Sequence, residues 1–418
     1  MGGPCQPNVN VSFPLSRGPR ERTSPRHGRS VPLLLALVVA IGFAACGSPN
    51  PTVSPGHSSV AVTPTATSTA TSSGSSDSTP TSSASPWVSP PPTTLVTAFY
   101  YLWYGTLAHD GAWRHWNQLS HRPPEDIASS YYPQRGPYSS RDPAVLAAQM
   151  TDLRSTGVGA IAVSWWGQNS WDDQSLAALF AAAEAAGIRI AFHLEPYNGQ
   201  TVASVASDIR YLVGRFGSSP ALLRISRPTS ASATTTPRPV FYLFAASRLP
   251  AADLKASLEA LRGTADDSIV MIHSPKASSA VRDGGDGVYT YDAMASPGDF
   301  ATLVADCRAA NVICSPSVSP GFDNRNAVAT GQQVQDRQNG ARYDAMWQAA
   351  ISARSEWISV TTFNEWHEGT QIEPAQDFAS GSREYQGYQG AYGAAGADAP
   401  VAYLRRTAHW VTVFSTGS

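Results

Sequence analysis

Two carboxylates three positions apart, Glu365 and Glu368, stand in the run Phe363-Asn364-Glu365-Trp366-His367-Glu368-Gly369-Thr370-Gln371-Ile372-Glu373, directly after an apolar stretch. Such a pair can divide acid and base work. One member holds a proton to assist a departing oxygen, and the other is ionised to supply or activate a nucleophile, as cleavage of a glycosidic bond requires. Mutual repulsion and partial burial push the two pKa values apart and so separate the roles. The plain alternative is a solvated acidic turn, for which three Glu with a Trp and a His would be unusual company.

Other residues converge on the same chemistry. His193 and Glu195, two apart, share one side of a strand, with Ala191 below them. A His–Glu pair there can hydrogen-bond sugar hydroxyls, or act as an internal ion pair. In Ser164-Trp165-Trp166-Gly167, alternation puts Ser164 and Trp166 on one side, so Trp166 is expected in a pocket and Trp165 under a helix. Tyr289 and Tyr291 are again two apart. The run Tyr100–Gly105 is aromatic at its end, and Ser319 to Asn326 reads as a polar loop. Four cysteines, at 5, 46, 307 and 314, have no zinc spacing, and no HExxH occurs, so neither a metal nor a cofactor is expected.

Something must hold these groups at one end of a scaffold. Eight strand candidates stand out: Leu95–Tyr104, Ala160–Trp166, Ile188–Glu195, Val240–Ala246, Ser268–His273, Gly287–Tyr291, Val312–Val318 and Trp357–Phe363. Ala- and Leu-rich stretches of helical period lie between most of them, such as Pro143–Ser155, Asp173–Ala186 and Ala251–Arg262. Nearly continuous apolar strands suit parallel strands covered on both sides. The expectation is a single α/β domain, a (β/α)8 TIM barrel over 94–418, with catalytic groups at the strands' C-terminal ends. A doubly wound open sheet is the rival, but no GxGxxG follows the first strand.

The first 46 residues read as a signal segment. Arg17, Arg20, Arg22, Arg26 and Arg29 precede the apolar run Val31–Ala45, which ends in Phe43-Ala44-Ala45-Cys46. Small residues before a cysteine fit a lipobox, with Cys46 lipidated and the protein anchored outside the cytoplasmic membrane or secreted. An ordinary signal peptide or an uncleaved anchor is the alternative. Residues 47–93 are dense in Ser, Thr and Pro and read as a disordered linker. Ser226 to Pro237 reads as a surface loop. Export would permit a Cys307–Cys314 disulfide, although two buried thiols fit equally well. Net charge is -2 and only 14% of residues are charged, which gives no field for nucleic acid. Eleven Trp suit either sugar stacking or an aromatic core. A monomer is expected.

These segments resemble glycoside hydrolase family 99, the endo-α-mannosidases and endo-α-1,2-mannanases, from about Ala98 onward. The resemblance rests on Tyr100–Gly105, His115-Trp116-Asn117, Ser129-Ser130-Tyr131-Tyr132-Pro133 through Gly136-Pro137-Tyr138-Ser139-Ser140-Arg141-Asp142-Pro143, and Phe363–Glu373. It implies a metal-independent, retaining endo-hydrolase of α-mannose-containing glycans. It further implies that Glu365 deprotonates the sugar's own 2-hydroxyl to form a 1,2-anhydro sugar, with Glu368 as acid and then base. Tyr104, Trp166, His193, Glu195, Tyr291 and Asn364 would be substrate-binding. The insertion near 226–237 and the short loop after Tyr291 depart from that pattern. Two other readings are a related barrel acting in surface-polysaccharide assembly and a catalytically inactive glycan-binding lipoprotein. The His367–Gln371 continuation and the retained carboxylate pair favour the hydrolase.

Overall fold

A computed structural model describes residues 87–226 and 236–417. The signal segment with Cys46, most of the 47–93 stretch and most of the 226–237 tract lie outside the described residues. The eight barrel strands are β1 (Thr93–Tyr100), β2 (Val158–Trp165), β3 (Arg189–Leu194), β4 (Arg238–Leu243), β5 (Ile269–His273), β6 (Gly287–Tyr289), β7 (Ile313–Ser315 and Ser317–Val318) and β8 (Ile358–Val360). Each is followed by a helix: α1 (Pro143–Ser155), α2 (Trp171–Ala186), α3 (Val202–Phe216), α4 (Ala251–Glu259), α5 (Ser278–Asp283), α6 (Asp299–Ala310), α7 (Ala341–Ser352) and α8 (Ala402–Thr416).

Neighbouring strands pair in parallel around the ring, and the ring closes. Strand β8 joins β1 through Val96–Ile358 and Ala98–Val360, and joins the second half of β7 through Ser317–Ser359. Closure leaves no free edge. The fold is the (β/α)8 barrel that the alternation of apolar and helical runs predicts.

Local chemistry explains the helix starts. Asp142 caps α1, accepting from the Ala144 amide, with Pro143 at the first helical position. Ser170 caps α2, and Thr201 and Ser204 form a reciprocal capping box at α3. Every residue of β2 is buried, as its unbroken apolar sequence requires.

The barrel interior is filled, not hollow. Phe99, His193, Tyr242 and Tyr289 meet there, with Phe99 at 4.9 Å from His193 and 5.5 Å from Tyr289, and Tyr242 at 5.0 Å from Tyr289, measured between ring centroids. The adjoining strands pack closely at Gly287, where a Cβ would lie 2.7 Å from the Met271 sulfur and 2.5 Å from the Ile313 carbonyl oxygen. This aromatic layer continues to Tyr291, whose ring meets Phe99 at 4.9 Å between centroids.

Strand β1 ends sooner than the apolar pattern suggests. It stops at Tyr100, although Tyr101, Leu102 and Tyr104 remain buried. Beyond Tyr100 the ladder partner is a side chain, Asn364, instead of a strand. The two longest connections, 101–142 after β1 and 361–401 after β8, rise on the same C-terminal face and pair with each other through Tyr132–Pro133 and Ala375–Gln376.

At the opposite end, Trp87 donates its indole N–H to the Ser155 carbonyl at 3.1 Å and lies under the Arg405 guanidinium, and Pro90 is buried against Gly157. Cys307 and Cys314 are buried free thiols in a small cluster with Leu303 and Val304.

Candidate active site

The loop after β8 carries the carboxylates, and a set of buried polar side chains fixes its course. Asn364 accepts from the Tyr101 amide at 2.8 Å and donates to the Tyr101 carbonyl at 2.9 Å. The Tyr104 hydroxyl donates to the Asn364 carbonyl at 3.2 Å and accepts from the Trp366 amide at 3.0 Å. Both Asn364 and Tyr104 are fully buried. Family resemblance points to them as substrate contacts; their polar atoms also hold the loop backbone on either side of Glu365.

The third glutamate of the motif is also structural. Glu373 accepts from Tyr138 and Gln149, each at 2.7 Å, from the Trp366 indole at 3.0 Å and from Arg135 at 3.1 Å. Burial still lifts its carboxyl above the usual range, against the pull of Arg135. Arg337 braces the loop from behind, donating to the carbonyls of Gly369 at 2.9 Å and Gln371 at 2.7 Å. Its guanidinium faces the rings of Tyr131, Tyr388 and Tyr403 at 4.6–5.0 Å. Gly369 takes a left-handed φ of 60°, and a Cβ there would press on the Asp323 backbone at 2.9 Å.

Glu365 and Glu368 differ in exposure. Glu365 is 2% exposed, whereas Glu368 is partly open. Oε1 of Glu365 accepts from the His367 amide at 3.0 Å. Oε2 of Glu368 accepts from the Tyr291 hydroxyl at 3.2 Å, and that hydroxyl is itself in short contact with the Tyr101 hydroxyl.

On the other wall, the Trp166 indole N–H donates to Ser164 Oγ at 3.1 Å, and Ser164 donates to Glu195 Oε1 at 2.9 Å. Trp166 is 37% exposed, while Trp165 is buried and donates to Asp173 at 3.0 Å. One indole is therefore partly open to solvent and the other lies under a helix. His193 sits lower, 1% exposed, with Nε2 at 2.8 Å from the Tyr289 hydroxyl and Nδ1 at 3.0 Å from Glu195 Oε1, off the line of a hydrogen bond. It belongs to the aromatic layer, beneath Tyr291, whose ring lies 5.7 Å away.

The structure thus brings Glu365, Glu368, Glu195, Trp166 and Tyr291 together at the C-terminal face. Sequence reasoning gave no role to Trp103, His115 and His367, whose rings stack in sequence at 4.5 Å and 5.4 Å beside Glu365. Nor did it assign Arg337. Trp103 and His115 lie inside recognisable motifs, but Arg337 has no local signal, because its role exists only through tertiary contacts.

Burial dominates the electrostatics. It pushes Glu365 well above the ordinary carboxylate range, and repulsion from Glu368 adds to it; the His367 and Glu368 amides pull the other way. Glu368 is raised to about 7, again by burial first, while the Tyr291 hydrogen bond opposes and Glu195 and Asp292 reinforce. The phenols of Tyr291 and Tyr101 are raised well above 10, so both remain neutral donors.

This sets a pH dependence of stability. A carboxyl raised from 4.5 unfolded to about 7 folded stabilises fully below pH 4.5, and that contribution is lost as pH rises through 7. Glu368→Gln should therefore be more stable than the parent at pH 8, by up to about 3 kcal/mol, and indistinguishable at pH 4. Thermal unfolding at the two pH values checks this; an equal or lower Tm for the variant at pH 8 contradicts the assignment.

Comparison with known proteins agrees with this arrangement. The model of glycosyl hydrolase family 99 matches residues 92–416. A glycoprotein endo-alpha-1,2-mannosidase-like protein of Danio rerio is 33% identical over 354 residues, covering 76% of this chain and 77% of its own. The glycoprotein endo-alpha-1,2-mannosidase of Mus musculus is 31% identical over 364 residues, covering 78% and 76%. The solved GH99 endo-alpha-mannosidase from Bacteroides thetaiotaomicron superposes with a TM-score of 0.70 at 31% identity, over 78% of this chain and 99% of that one. With a family match along nearly the whole barrel and a carboxylate pair at its C-terminal mouth, the chain belongs to glycosyl hydrolase family 99 and is a glycoside hydrolase.

Proposed function

We propose that this protein is an endo-acting, retaining α-mannosidase that hydrolyses α-1,2-mannosidic bonds in mannan or mannose-rich glycans. The observation that carries the reading is the Glu365–Glu368 pair: two carboxyls of raised pKa on one loop above an aromatic floor, with Tyr291 on one of them. The endo-acting mannosidase activity is supported by the names of the relatives.

The chemistry runs in two steps. Glu365 takes the proton of the sugar 2-hydroxyl, and O2 attacks C1. The bond from C1 to the leaving oxygen breaks, and that oxygen takes the proton of Glu368. In the second step Glu368, now ionised, takes a proton from water. The water oxygen attacks C1, the C1–O2 bond opens, and O2 recovers its proton from Glu365. Two inversions give net retention. A sugar hydroxyl is a weak acid, so a base whose pKa burial has raised suits its deprotonation in the first step, and a group near 7 can protonate the leaving oxygen in that step and take a proton from water in the second. Only the pair bearing one proton is competent, so kcat/KM should be bell-shaped in pH.

Glu365→Gln and Glu368→Gln should each lower turnover on yeast α-mannan by about 10²–10⁴-fold while binding survives. Oligosaccharide release and isothermal titration measure the two effects. Near-parental rates in either variant would sink the assignment. Failure of the parent to release oligosaccharide would favour the polysaccharide-assembly or glycan-binding readings.

Trp166 supports a mannose preference in the sugar just before the cleaved bond. Mannose and glucose differ at the 2-hydroxyl, axial in mannose. The Trp166 N–H already serves Ser164, so the ring offers an apolar face and no free polar atom to a glucose 2-hydroxyl. Trp166→Tyr supplies a hydroxyl, worth about 0.5–1.5 kcal/mol, or roughly 2–13-fold. The ratio of kcat/KM on matched Man-Man and Glc-Man substrates should shift toward glucose by that factor; an unmoved ratio refutes the argument.

The N-terminal sequence supports a lipid-anchored, extracytoplasmic location, with Cys46 as the lipidated residue and 47–93 as tether. Cys46→Ala should leave the protein unprocessed or released, as fractionation and mass spectrometry would read. Normal processing with unchanged membrane attachment would contradict it.

A further inference from the structure

We propose that His367 is a positioning residue that keeps Glu365 basic by presenting it with an unprotonated ring nitrogen. The proposal rests on the reading of Glu365 as the base.

The tautomer of His367 follows from its partners. Nε2 lies 2.9 Å from the carbonyl oxygen of His115. A carbonyl only accepts, so Nε2 carries the hydrogen, and a neutral ring then leaves a lone pair on Nδ1. Nδ1 stands 3.6 Å from Glu365 Oε1. At that distance the Nδ1 lone pair and a charged carboxylate oxygen repel, and protonation of the carboxyl relieves the repulsion. The ring therefore favours the protonated carboxyl over the carboxylate, and makes the carboxylate the stronger base.

The surroundings keep the ring neutral. His367 is 7% exposed, and burial lowers it to about 4, with a small push from His121 against the pull of the His115 carbonyl. His115, stacked alongside, is also held well below its usual value by burial and by His367. The other charged groups on Glu365 are the Glu368 and Glu195 carboxylates. The Tyr101 and Tyr104 phenols nearby are neutral, and Tyr291 answers to Glu368. One residue thus acts on Glu365 twice and in opposite senses: its amide N–H stabilises the anion at 3.0 Å, and its ring disfavours it. The amide remains when the ring is exchanged, so the ring's effect can be read alone.

The test titrates Glu365 itself. In a Glu368→Gln background the neighbouring charge is absent, and infrared difference spectra of the carboxyl band report Glu365 without needing activity. His367→Gln keeps a donor for the His115 carbonyl and removes Nδ1. His367→Asn puts an amide nitrogen where Nδ1 stood, turning acceptor into donor. The Glu365 pKa should fall by about one pH unit in the Gln variant and further in the Asn variant. With Glu368 intact, the acid limb of kcat/KM should move to lower pH, kcat should drop about tenfold and KM should change little. Folded variants in which Glu365 titrates at or above its parental pH overturn the proposal. If one variant does not fold, the other decides. A lowered titration with unchanged kcat would uphold the His367 effect while removing Glu365 from the base role, so the two readings fail separately.

Discussion

The side-chain amide of Asn364 makes both hydrogen bonds that a neighbouring strand would make to Tyr101, at 2.8 Å and 2.9 Å. It continues the seam between β1 and β8 past the point where their ladder stops. A closed barrel has a single place where the first strand meets the last, and here that seam also carries the carboxylate pair. Tyr104 reads the same loop three residues further along β1's extension, tying the carbonyl of Asn364 to the amide of Trp366. The backbone on both sides of Glu365 is thereby pinned to the start of the chain. Rotation of its carboxylate is limited by the surrounding network rather than by its own rotamer preferences.

Three glutamates lie within nine residues, and their environments divide them. Glu373 has four donors, one of them a guanidinium, which makes its burial tolerable. Among the described residues, no Lys or Arg pairs with Glu365 or Glu368. Their donors are two amides and a phenol, which orient without neutralising. The fold leaves this pair short of compensation, and the strain appears as raised proton affinity. The buried positive charge of Arg337 is set behind the loop, against tyrosine faces and carbonyls, where it gives rigidity without calming the carboxylates.

Much of this is legible in sequence. Eight apolar runs and their intervening helical stretches predict the barrel, because parallel strands covered on both faces lose their polar positions. Alternation along Ser164–Trp166 separates the two indoles, and the spacing of His193 and Glu195 puts them on one face. Less readable is depth. Period two says which side a residue takes but not how far up the barrel it stands, so His193 looks as accessible as Glu195 although it lies in the aromatic floor. Motif resemblance likewise marks Tyr104 and Asn364 without saying whether they meet sugar or backbone. The end of β1 is invisible because Tyr101 to Tyr104 are as apolar as the strand itself. The bracing by Arg337 leaves no pattern at all, since its partners Gly369, Gln371 and Tyr131 all lie more than 30 residues from it along the chain.

Trp87 and Pro90 are fastened at the N-terminal rim of the barrel, against Ser155 and Gly157. The carboxylate loop after β8 rises from the other rim. The leading segment therefore braces the barrel from the end away from Glu365 and Glu368, and the two ends of the strands do separate work: one fastens the chain, the other presents the carboxyls.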